Sequence, residues 1–99
     1  MIRAIHIADR AEHRRLALPG SVHIDLTRVE PDGSVGMWFF CPCGCEGPCR
    51  VSIRKGAKPA HEPSWAWNGS LTEPTLAPSV RQLNCGWHGW LRNGYWQEA

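Results

Sequence analysis

Little in this chain points to a membrane, a long coil of helices or a disordered tail. None of its 99 residues fall in a run near the ~18 apolar positions a membrane-crossing helix requires. Net charge is also scarce. Eleven Lys and Arg against nine Asp and Glu leave +2, too little to mark a dedicated nucleic-acid binder by field alone. Tyr occurs once and Phe twice, but six Trp supply enough apolar bulk to exclude disorder. There is no Gly-rich phosphate loop, no nucleophile elbow and no Ser/His/Asp set in a recognisable local context. The opening Met1-Ile2-Arg3-Ala4-Ile5-His6-Ile7 is too short and too broken by charge for a signal peptide, so a cytoplasmic protein is expected. Turn formers are plentiful, with ten Gly and eight Pro. That composition favours short strands over a helical bundle, and at this length a hydrophobic core alone gives marginal stability.

The pattern along the chain agrees. Ile2, Ile5 and Ile7 suggest a short first strand. Residues 9–18 have helix-forming composition, with Asp9 as a cap, Glu12 three positions on, and Pro19-Gly20 as a stop; a polar loop is the alternative. Val22, Ile24 and Leu26 alternate with His23 and Asp25, and Val35 to Phe40 returns after turn chemistry at 30–34, which predicts an antiparallel hairpin. Val51 and Ile53 share one face of a further strand, and Trp65 and Trp67 one face of another. Residues 55–63 read as a surface loop. Pro74 and Pro78 confine the segment between them to a sheet edge or an ordered loop. A brief pairing over 79–83 follows. Asn93-Gly94 between the aromatic-rich arms 90–92 and 95–97 is the strongest hairpin signal, a type I′ turn. The expected fold is mainly β: one small domain over 1–99, made of short antiparallel strands and hairpins stabilised by one zinc site, with room for one short N-terminal helix.

The cysteines carry the chemistry. Cys41, Cys43, Cys45 and Cys49 lie within nine positions, and Cys85-Gly86-Trp87-His88 follows some forty residues later. A C-x-C pair rarely permits an unstrained disulfide, and clustered thiols in a reducing compartment are more often metal ligands. Thiolates and an imidazole at two tight turns suit a structural Zn²⁺, which contributes folding energy to a thin-cored domain. Five residues compete for four places: Cys41, Cys43, Cys45, Cys85 and His88. Cys41, Cys43, Cys85 and His88 form the favoured set, Cys45 is the substitute for Cys43, and Cys49 is a spare thiol. Two other readings stand beside this one. The thiols are buried without metal, or they hold an iron–sulfur centre, which would want a His in the first pair as well.

Other residues invite weaker readings. His6, His13, His23 and His61 are scattered, and the alternation of its strand turns His23 towards solvent. Arg50, Arg54, Lys55 and Lys58 form either a solvated strand edge or a phosphate-facing patch capable of weak nucleic-acid binding. The tryptophans are expected in the core, except Trp87, a candidate recognition residue at the tip of the Cys85–His88 turn. A catalytic zinc would need an open position and a general base, for which Glu46, Glu62 and Glu73 are available.

Four short motifs in order, Cys41-Pro42-Cys43-Gly44-Cys45, Trp65-Ala66-Trp67-Asn68-Gly69-Ser70, Glu73-Pro74-Thr75-Leu76-Ala77-Pro78-Ser79-Val80 and Cys85-Gly86-Trp87-His88 followed by Arg92-Asn93-Gly94, lie in the segment from Phe40 to Trp96, over half the chain. They resemble an uncharacterised family of bacteriophage and prophage genomes, a domain of unknown function sometimes labelled "ammonia monooxygenase". The resemblance implies a small phage-type metal-binding protein, and related domains sit beside bacterial ubiquitin-like conjugation genes. The oxygenase label does not suit a site short of histidine and carboxylate ligands. The expected function is a non-enzymatic binding or accessory module with a structural zinc, acting on a protein or nucleic-acid partner. The alternative is a zinc-dependent hydrolase with an open metal position and a glutamate base.

Overall fold

The computed structural model describes residues 2–45, 47–83 and 85–99. Its elements in chain order are β1 (Ile2–Arg3), α1 (Arg10–Leu16), β2 (Val22–Asp25), β3 (Val35–Phe39), β4 (Cys49–Lys55), β5 (Trp65–Trp67), β6 (Leu76–Ala77), β7 (Val80–Arg81), β8 (His88–Arg92) and β9 (Tyr95–Glu98). The fold is mainly β with one short helix, as the composition implies.

Local chemistry accounts for the elements. The Asp9 carboxylate accepts the Glu12 amide at 3.0 Å and starts α1, while Ala17, left-handed at φ 47°, ends it after seven residues. The β2–β3 pairing sets Val22 opposite Phe39 and Ile24 opposite Met37, so the apolar residues of both strands share a face. Asn93 and Gly94 take positive φ (49° and 81°), as a type I′ turn requires, and join β8 to β9.

Two sheets result, ordered β2-β3-β4-β5-β6 and β1-β9-β8-β7. Their inner faces meet in one core to which Met37, Phe39 and Ile53 come from the first sheet and Val80, Leu91 and Trp96 from the second. Phe39 lies 5.2 Å from Trp96, and Trp87 meets the same indole edge-on at 5.6 Å. The Trp96 indole N–H donates to the Gly20 carbonyl at 2.7 Å, so the core satisfies its polar edge. Burial of each such side chain contributes roughly 1.5–3 kcal/mol.

Two expectations need correction. Trp87 is not displayed at a turn tip but packs in the core. His23 does not face water, because α1 and the chain before it cover that side of β2. The His6 and His13 rings lie 6.0 and 6.3 Å from the His23 ring, and His23 Nδ1 donates to the Ile7 carbonyl at 2.8 Å. Alternation gives the face of a strand but not what lies over it.

Two features of this topology build the site. The strands β6 and β7 end their respective sheets, so Pro78 and Ser79 carry the chain from one sheet edge to the other. Next to His88, Gly89 admits no side chain: a Cβ there would stand 2.2 Å from the Gln97 carbonyl oxygen and 2.7 Å from the Trp87 ring.

Candidate functional site

Beyond β3 the chain turns tightly. Gly44 at φ 85° returns its amide to the Cys41 carbonyl at 2.9 Å, folding Cys41, Cys43 and Cys45 around one point. The β7–β8 connection brings Cys85 to the same point, held by the Gly86 amide on the Gln82 carbonyl at 2.8 Å. Sulfur separations are 3.2 Å from Cys41 to Cys43, 3.6 Å from Cys41 to Cys85 and 3.5 Å from Cys43 to Cys85. All four sulfurs lie within 4.8 Å of one another. A tetrahedral ion with sulfur ligands at about 2.3 Å holds them about 3.8 Å apart, so the group can hold one metal ion. Its protons are already unevenly shared. Burial pushes the Cys41 thiol up, the Cys41 thiol hydrogen-bonds to Cys43 and lowers it to about 7, and pairing with Cys43 raises Cys45 to about 11. Negative charge therefore settles first on Cys43, and a metal would displace the remaining protons.

Of the five residues proposed as ligands, Cys41, Cys43, Cys45 and Cys85 come together; His88 stands elsewhere. Cys49 is outside the group too, its sulfur accepting the side-chain amide of Gln82. Among the described residues no carboxylate joins the sulfurs. Glu62 pairs with Lys58, Glu73 belongs to the turn closed by the Asn68 side chain, and Glu46 lies outside the described residues. Within the basic cluster, the Arg54 guanidinium donates to the carbonyls of Asp32, Ala57 and Lys58, and Arg50 lies across Gly36.

His88 Nε2 meets Ser79 Oγ at 2.8 Å. The register makes this contact. Val80 pairs with Gly89 and Arg81 with His88, so Ser79, Arg81 and His88 share one face of the second sheet while Val80 and Leu91 enter the core from the other. The Trp65 indole N–H donates to the Ser79 carbonyl at 3.0 Å and fixes the backbone of that residue from the neighbouring sheet. Trp90, 6.1 Å from the His88 ring, packs beside the imidazole. Both Ser79 and His88 are half-buried. No ion pair joins His88 to a carboxylate among the described residues, so the pair is a dyad there. With its proton on Nδ1, His88 presents the Nε2 lone pair to the Ser79 hydroxyl, which is the arrangement that activates a serine nucleophile. Beside Ser79 runs a groove of about 490 Å³ bordered by Val51, Pro63, Trp65, Arg81 and Leu83.

Sequence reasoning missed Ser79. The available signal was its position. Ser79 and His88 lie on the two arms flanking the turn at Cys85, and pairing those arms in the register Arg81 to His88 sets them as diagonal neighbours on one face.

Among the described residues no helix is long and apolar enough to cross a membrane. No curated protein and no solved structure gives a match. The family model described as "Bacterial ubiquitination-like system serine protease (BubE)" matches residues 8–99. That match overturns both functional expectations, the non-enzymatic accessory module and the zinc hydrolase with a glutamate base. The serine lies in the connection between β6 and β7 and the imidazole on β8, so the two form no local motif, and the spacing Cys85-Gly86-Trp87-His88 points His88 to the metal instead. With its match running over nearly the whole chain, this protein belongs to the bacterial ubiquitination-like system serine protease family, BubE.

Proposed function

We propose that this chain is a serine peptidase or isopeptidase acting on the ubiquitin-like protein of such a system, with Ser79 as nucleophile and His88 as general base. The observation that carries the reading is the 2.8 Å contact between Ser79 Oγ and His88 Nε2. In the first half-reaction Ser79 Oγ bonds to the scissile carbonyl carbon while its proton passes to His88 Nε2. The C–N bond then breaks and the departing amine takes that proton. In the second, water attacks the acyl-serine ester with His88 as base, releasing the carboxylate and restoring Ser79. The groove beside Ser79 suits an extended tail rather than a folded surface.

The ion held by Cys41, Cys43, Cys45 and Cys85 is Zn²⁺ in this proposal. A four-thiolate set is characteristic of closed structural sites and leaves no position for substrate. Its role is to tie the β7–β8 turn to the end of β3 and so steady the hairpin that carries the dyad. Five reduced thiols suit the cytoplasm of a bacterial cell, and a phage or prophage setting is supported by the motif resemblance alone.

The test is hydrolysis of the system's ubiquitin-like protein carrying a C-terminal extension. The parent enzyme should trim it, with Ser79→Ala and His88→Gln each lowering kcat by about 10³-fold or more. A Ser79→Ala protein that retains the parent rate would overturn the assignment.

A further inference from the structure

Strand β7 ends its sheet, and its hydrogen-bonding groups divide cleanly between the two sides. The Gln82 amide donates to the Trp87 carbonyl at 2.8 Å, so Gln82 and, two residues earlier, Val80 turn their polar backbone groups towards β8. The Ala99 amide donates to the His88 carbonyl at 2.8 Å, so His88 spends its own groups on β9. It follows that the N–H and C=O of Arg81, opposite His88, point away from β8 and into the groove beside Ser79. Neither group has a partner among the described residues. The Arg81 side chain is exposed, forms no ion pair among them, and lies on the same face as the dyad.

We propose that the substrate tail binds as an added antiparallel strand on the free edge of β7, its backbone bonded to both Arg81 groups, and that the Arg81 guanidinium selects an acidic side chain at the paired substrate residue. This rests on the Ser79–His88 reading and specifies the substrate segment for that site. The geometry sets the position. Arg81 lies two residues beyond Ser79, about 7 Å along a strand, so the selected residue lies two to three positions from the scissile bond. Residues directly opposite in an antiparallel pair project to the same face, which brings the acidic group to the guanidinium. Strand addition draws affinity from main-chain bonds and specificity from alternate side chains, so the remaining positions should tolerate variation.

The experiment uses full-length Ser79→Ala protein and fluorescent octapeptides read by anisotropy, so that binding is measured without turnover. One series carries Glu, Gln or Lys at each position in turn; a second carries a single N-methyl group at each backbone nitrogen. We expect a Glu preference over Gln of about two- to fivefold at one position only, as for an exposed ion pair. At the same residue N-methylation should weaken binding by about three- to tenfold, as for one lost hydrogen bond. In an Arg81→Glu background the preference should switch to Lys at that position. Arg81→Gln serves as the fold-neutral control, since the side chain is exposed. Indifference to charge at every position, or N-methylation tolerated throughout, would overturn the proposal. Labelling of the parent protein by a fluorophosphonate, run in parallel, separates the two claims: labelled Ser79 with unselective peptide binding refutes only the strand-addition proposal, and unlabelled Ser79 refutes the nucleophile.

Discussion

Substituting Gly89 by Ala is the most demanding test of how the fold holds His88. The added Cβ would sit 2.2 Å from the Gln97 carbonyl oxygen and 2.7 Å from the buried Trp87 ring. Ordinary carbon–oxygen contact needs over 3 Å, so β8 and β9 must separate by about 1 Å, and the nearest obstacle is backbone rather than a side chain that can swing aside. Overpacking of this kind costs about 1–3 kcal/mol, and the upper end applies where a strand must move. For a domain of this size each kcal/mol lowers the melting temperature by about 4–8 °C, so a loss of about 12–24 °C is expected by circular dichroism. At a temperature where the variant is still folded, the same movement displaces His88 from Ser79. A misplacement of about 1 Å costs on the order of 10²-fold in rate. A Gly89→Ala protein that melts within 4 °C of the parent, or keeps its full rate, would show that β8 and β9 do not pack as described.

Other consequences follow from the cysteines and the buried imidazoles. Cys85→Ser should lose its metal and melt early, because a structural ion contributes folding energy on the scale of the domain's whole stability; Cys49→Ser should retain one metal per chain by mass spectrometry under native conditions. Chelation of the parent should depress its melting temperature and abolish hydrolysis together, and restored zinc should recover both. The acid response is set by His6 and His13, whose Nε2 and Nδ1 atoms respectively are buried without a partner. Burial chiefly, with the charge of His23 adding to it, holds both below their usual 6.5. The unfolded chain therefore takes up protons first as pH falls through 6.5, and folding stability declines by up to about 1.4 kcal/mol per pH unit for each group. Thermal melts between pH 8 and pH 5 should show this drop, and His13→Gln should make it shallower; a flat profile would contradict the burial of these rings.

Much of the fold was legible in the sequence because its signals are local. The capping of α1 by Asp9, the alternation of Val22 and Ile24, and the Asn93-Gly94 turn each depend on a few adjacent residues, and each appears where expected. The clustering of Cys41, Cys43 and Cys45 was legible for the same reason, three thiols within five positions, but the favoured set took His88 where the structure brings Cys45 to the group. What escaped depends on contacts between distant segments. His23 reads as outward because a strand's alternation cannot show that α1 covers it. Trp87 reads as exposed because its position between Cys85 and His88 hides its packing against Trp96. Ser79 and His88 become partners only through the register of β7 against β8, with Trp65 reaching across from the other sheet. A serine without a surrounding motif offers no sign of reactivity until its neighbour across the ladder is known.

Whether Ser79 is the nucleophile is decided by where a covalent serine-directed probe attaches. A fluorophosphonate probe should add once per chain, peptide mass spectrometry should place the adduct on Ser79, and His88→Gln should suppress it. Modification at another serine, or none on folded and metal-loaded protein, would contradict the assignment of Ser79.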